Sequence, residues 1–128
     1  MNWLEILGWE KKELNDLKYL AYSYAQQGKY DIAIKIFKAL NILEKENSYN
    51  IQMLGALHLE IEENKKALNY LNIALKFTPN HLPSLLNKAK ALLYLGYKKE
   101  GLSLAKNLTK SENKDIASQS EALILAYS

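Results

Sequence analysis

The sequence predicts an all-α chain of three stacked helix pairs with one further helix at each end. Three observations carry this. The 128 residues include no valine and no arginine, only five glycines and two prolines, and are rich in Leu, Ala, Lys, Glu and Asn, a composition that favours helix over strand. Written in a 34-residue frame, the windows 14–47, 48–81 and 82–115 align without gaps. At the eighth place of each stand Ala21, Gly55 and Ala89, and at the twentieth Ala33, Ala67 and Gly101. Small residues recurring where paired helices approach most closely express one packing requirement, met three times.

Residues 1–13 are expected to form an N-terminal helix, with Trp3, Leu4, Leu7 and Trp9 as its apolar residues. Within the first window the fifteenth place is Gly28, a break between two helices, and Gly96 repeats it in the third window, while the second has Glu62. Pro79 and Asn80 close the second window, where one helix must stop before the next begins. In residues 116–128, Ile116, Ser120, Leu123, Ile124 and Tyr127 share one face at helical spacing. The ends of a stacked array need a cap, so both terminal helices read as caps. The size bounds the chain to a single domain. Trp3, Leu7 and Trp9 carry a second reading, a surface for self-association or for a small co-chaperone, because Trp is enriched at binding hot spots.

The chemistry the sequence lacks is equally informative. Its formal charge of +3 comes from 17 lysines interspersed with 14 acids, a solubilising surface rather than a basic patch. Without arginine's planar fork, no nucleic-acid partner is expected. Zero cysteines removes disulfides, thiolate metal sites and cysteine nucleophiles. Glu5 stands where a secretory leader would carry positive charge, so no leader is expected. The longest apolar run, Ala91 to Tyr97, is far short of the roughly 20 residues that span a bilayer, and no integral membrane protein is expected. No Gly-rich phosphate loop, dinucleotide fingerprint, nucleophile elbow or zinc-helix motif occurs. His58 and Glu62 stand four apart on one helix, but no third ligand is nearby, and His81 reads as a solvated loop residue. The expectation is no enzyme, no cofactor and no metal.

The 34-residue period with small residues and aromatics at fixed places, seen well in "KKALNYLNIALKFTPN", resembles the tetratricopeptide repeat. The resemblance implies a right-handed superhelical array of three tetratricopeptide helix pairs with flanking terminal helices. It also implies a concave groove lined by the first helix of each pair, at the second, fifth, ninth and twelfth places. These are Asn15, Lys18, Tyr22 and Ala25; Tyr49, Gln52, Ala56 and Leu59; and Pro83, Leu86, Lys90 and Leu93. The Hsp70 and Hsp90 co-chaperones of this family clamp a C-terminal carboxylate at five inward places. Lys18 fits that clamp, but Tyr22, Met53, Pro83 and Asn87 do not. An apolar peptide is therefore the better expected ligand, and the groove residues are Lys18, Tyr22, Tyr49, Gln52, Met53, Ala56, Leu59, Leu86, Asn87, Lys90 and Leu93.

Leu14 to Leu43, with "GKY" followed by "AIKIFKAL" and Leu40 in a place where most repeats have alanine, is similar to the first repeat of type III secretion chaperones that hold translocator subunits. The chain's size and its "NLTKSENKDIASQSEAL" also resemble the smaller chaperones that hold needle subunits. This resemblance implies a chaperone in the bacterial cytoplasm whose groove covers a hydrophobic secreted subunit or peptide, together with a small co-chaperone or a weak homodimer. The alternative is a generic tetratricopeptide scaffold that joins soluble proteins.

Overall fold

The computed structural model describes residues 2–128; Met1, which the sequence places in the N-terminal helix, lies outside them. Among the described residues the chain is all-α, with α1 (Trp3–Leu7), α2 (Lys11–Gln26), α3 (Tyr30–Leu43), α4 (Ser48–Glu60), α5 (Asn64–Phe77), α6 (Leu82–Tyr94), α7 (Lys98–Leu108) and α8 (Lys114–Tyr127). Helices α2 and α3, α4 and α5, and α6 and α7 form three tight pairs. Each helix from α2 onward packs on the next, α4 also packs on α6, and α6 on α8. The first helices of the second and third pairs thus stack on one another, and α8 stacks on α6 in the same way, in an all-helical superhelical array.

The turns inside the pairs explain the break at the fifteenth place. Gly28 and Gly96 take the left-handed backbone, φ 77° and 91°, that terminates a helix without a Cβ clash. Glu62 adopts the same conformation, φ 63°, without being glycine. Side chains start the next helices. Asn47 Oδ1 accepts from the Asn50 N–H, and Asn113 Oδ1 from the Ile116 N–H at 3.2 Å. His81 performs this role for α6: its Nδ1 accepts from the Ser84 N–H at 3.3 Å and lies 2.7 Å from Ser84 Oγ. The residue read as a solvated loop histidine is therefore a half-buried cap.

The N-terminus departs from the expected single helix over 1–13. Gly8, at φ 66°, ends α1, and a capping box opens α2, with the Glu10 N–H donating to Glu13 Oε2 at 2.9 Å. At the other end Asn113 starts α8 two residues ahead of the expected boundary.

The core is distributed along the stack. One cluster joins Leu14, Ala21, Ala33, Phe37, Leu40 and Leu54, a second Leu59, Ala67, Leu71 and Ala91, and a third Leu86, Leu108 and Ile116. Phe37, Leu40, Leu54 and Leu71 are fully buried, each worth about 1.5–3 kcal/mol of apolar transfer. The small places are where helices touch: a Cβ on Gly101 would lie 2.7 Å from Cγ and Cδ2 of Leu93. Among the described residues no helix is long and apolar enough to cross a membrane.

Candidate partner-binding groove

The places expected to face inward fall on α2, α4 and α6, and their burial and contacts sort them into three kinds. Tyr22 is 45% exposed, with its hydroxyl accepting from Gln26 Nε2 at 3.2 Å. Tyr49 is half-buried, its ring edge-on to Phe37 with centroids 5.9 Å apart. Burial, with Tyr22 close by, pushes the Tyr49 phenol above its usual pKa. Tyr22 lies on α2, and Tyr49 and half-buried Ala56 lie on α4.

A second set is polar and already tied into the fold. Lys18 Nζ sits 2.8 Å from Glu44 Oε1, which also accepts from Asn50 Nδ2 at 3.2 Å. Gln52 Nε2 donates to Ser48 Oγ at 2.9 Å and to Thr78 Oγ1 at 3.0 Å, and Thr78 Oγ1 in turn donates to the Ala74 carbonyl. Lys90 Nζ donates to Gln119 Oε1 on α8 at 3.3 Å. Met53 is half-buried against the first core cluster.

The third set corrects the sequence reading. Leu59, Leu86 and Leu93 are only 9%, 4% and 4% exposed. Leu86 packs with Leu108 and Ile116 because α8 stacks on α6, and Leu93 fills the space beside Gly101. These leucines are packing residues; Leu59 alone also reaches a cleft wall. That cleft, of about 490 Å³ between α4 and α6, is lined by Leu59, Glu60, Glu62, Asn64, Asn87, Lys90 and Tyr94. It brings three expected groove residues together with Glu60, Glu62 and Tyr94, which the sequence reading missed. Glu60 and Tyr94 occupy the thirteenth place of their windows, one beyond the last inward place considered. Tyr94 also approaches Tyr127, ring centroids 6.3 Å apart. Tyr127, which the sequence places on the apolar face of the C-terminal helix, would be the twelfth place of a fourth window beginning at residue 116. Burial, with Tyr127 and Glu60 nearby, raises the Tyr94 phenol.

At the other end the three expected residues part company. Trp3 and Leu7 are exposed, whereas Trp9 packs with Leu4 on the first core cluster. Trp3 and Leu4 also line a cleft of about 540 Å³ against Ile42, Leu43, Glu44 and Lys45. His58 does not meet Glu62; the acid nearest its ring is Glu63, 3.9 Å away, and among the described residues no three potential metal ligands converge.

Comparison with known proteins places this geometry. A family model described as tetratricopeptide repeat matches residues 14–47. Among curated proteins no sequence matches. Solved structures do. PcrH of Pseudomonas aeruginosa, in complex with the chaperone binding region of PopD, shares 25% identity at a TM-score of 0.82, covering 94% of each chain. SycD of Yersinia enterocolitica, a type III secretion chaperone in complex with a peptide of the translocator YopD, shares 24% at 0.81, covering 92% of this chain and 94% of its own. The fold is that of these secretion chaperones. A tetratricopeptide domain held with a different peptide is similar in fold as well. The first such domain of Spaghetti (RPAP3), bound to the HSP90 peptide SRMEEVD, is similar at a TM-score of 0.78 with 16% identity, covering 91% of this chain and 94% of its own.

Proposed function

We propose that this chain is a chaperone of a type III secretion system that holds an apolar segment of a hydrophobic secreted subunit in its concave groove before export. The observation that carries the reading is the likeness, over nearly the whole of both chains, to two chaperones each held with a segment of its client. Those clients favour a translocator subunit over a needle subunit. The client site is the tyrosine floor of Tyr22, Tyr49 and Ala56, continued by the α4–α6 cleft.

The physical logic is simple. A subunit destined for a membrane exposes apolar segments that self-associate in water, because burying their surface is worth about 25 cal/mol per Å². Tyrosine rings cover such a segment at low conformational cost while their hydroxyls remain hydrated. The carboxylate clamp of the co-chaperone relatives is not reproduced at Tyr22, Met53, Pro83 and Asn87, and Lys18 is occupied by Glu44. A free acidic C-terminus therefore has no receptor of that kind in the groove. The protein acts in the bacterial cytoplasm, by binding and not by catalysis, and exposed Trp3 and Leu7 serve contacts with a second copy or a co-chaperone.

Co-expression tests the reading. The translocator subunit of the same secretion system should be largely insoluble when made alone and soluble, bound to this chain, when the two are made together. A translocator whose solubility is indifferent to this chain would overturn the proposal in favour of an adaptor between soluble proteins.

A further inference from the structure

A separate cavity, of about 270 Å³, lies between α3, α4 and α5 and shares no residue with the α4–α6 cleft. Its lining is Lys38, His58, Lys66, Asn69, Tyr70 and Ile73. His58 is 2% exposed, and neither of its ring nitrogens has a hydrogen-bond partner in the protein. The Glu63 carboxylate, at 3.9 Å from Nδ1, is beyond hydrogen-bond reach. An imidazole always carries at least one N–H donor, and a buried donor calls for an acceptor. Stacking on Tyr70, with centroids 5.2 Å apart and planes 11° apart, fixes the ring in place.

The rest of the lining has one chemical character. Lys38 makes no ion pair among the described residues, and Lys66 already bonds Glu63 at 3.0 Å. The Asn69 amide adds donors, no carboxylate lines the cavity, and Tyr70 and Ile73 supply apolar wall. The eleventh place, His58 here, is Tyr24 in the first window, so a smaller ring stands where that repeat puts a phenol. We propose that this cavity binds a carboxylate carried on a short apolar body, the carboxylate meeting Lys38 and the His58 N–H and the body lying against Tyr70 and Ile73. The same chemistry is offered by a small free organic acid and by an acidic side chain of a docked protein.

The full chain has two histidines, and His81, held by Ser84, is the internal control for NMR of the imidazole signals. Three probes separate the cases: benzoate, the side-chain mimic N-acetylglutamic acid α-amide, and butylamine. At least one carboxylate should shift the His58 signals saturably at millimolar concentration and leave His81 unmoved. Lys38→Met should weaken that binding at least tenfold. His58→Tyr, which restores the phenol and fills the cavity, should abolish it in a chain whose melting temperature is unchanged or raised. Binding of benzoate alone assigns the site to small acids, and equal or tighter binding of the mimic assigns it to a partner's side chain. The proposal is overturned by an absence of saturable shifts with both carboxylates, by equal shifts with butylamine, or by parallel movement of His81. Unchanged affinity in Lys38→Met overturns it too, and that exposed substitution decides the matter even where His58→Tyr fails to fold.

Discussion

A methyl group on Gly55 would stand 2.8 Å from Cγ and Cδ2 of Leu71, a side chain with no exposure of its own. Leu71 has no solvent to move into, so Gly55→Ala must displace packed atoms at a cost of about 1–3 kcal/mol. Alanine's helical advantage over glycine returns about 1 kcal/mol. The net expectation is a loss of roughly 1 kcal/mol and a melting temperature lower by about 4 °C; an unchanged or raised melting temperature would contradict the packing described. His58 gives a second prediction at this scale. Burial, opposed by Glu63 and assisted by Lys38 and Lys66, holds its pKa below the usual value. The unfolded chain therefore takes up the proton more readily than the folded one. Stability from this source is intact above about pH 6.5 and falls as the pH drops from there towards the folded-state pKa. Between pH 7 and 5 the parent protein should lose more melting temperature than His58→Tyr; parallel losses would show that His58 contributes nothing to the pH response.

Among the elements, what the sequence revealed was what packing dictates by size. The eighth and twentieth places are small because helices cross there, and Ala21, Gly55, Ala89, Ala33, Ala67 and Gly101 are all buried. The direction of the large residues was less readable. Leu86 and Leu93 lie on helix α6, which packs against α7 and α8, and an apolar residue in the sequence does not say whether it serves that packing or an open face. Polar ties were hidden for a different reason: Gln52 meets Thr78, and Lys18 meets Glu44, only once distant helices have come together. The turn at Glu62 was marked as a departure from glycine, and the backbone keeps the glycine conformation there regardless. A left-handed L-residue costs about 1–2 kcal/mol, of which glycine's greater freedom in the unfolded chain takes back part. Glu62→Gly should thus stabilise by about 0.5 kcal/mol, a rise of roughly 2 °C in melting temperature. A drop on calorimetry would mean that the Glu62 side chain stabilises the α4–α5 turn by more than its backbone costs.

For the molecule as a whole, the proposed client site draws on residues as far apart in sequence as Tyr22, Tyr49 and Asn87, carried by the first helices of the three pairs. Nearest-neighbour packing also means that each repeat is supported mainly by those beside it. The central claim is that the client lies along α2, α4 and α6. The absence of cysteine makes it directly measurable, since a single introduced thiol carries a photocrosslinker to one known place. Tyr22→Cys and Ala56→Cys report the groove, and Leu125→Cys, at a position 83% exposed on α8, reports a surface outside it. With the translocator subunit bound, the account predicts strong crosslinking from positions 22 and 56 and little from 125. Efficient crosslinking from 125 with none from 22 or 56, in variants that retain the client, would contradict it.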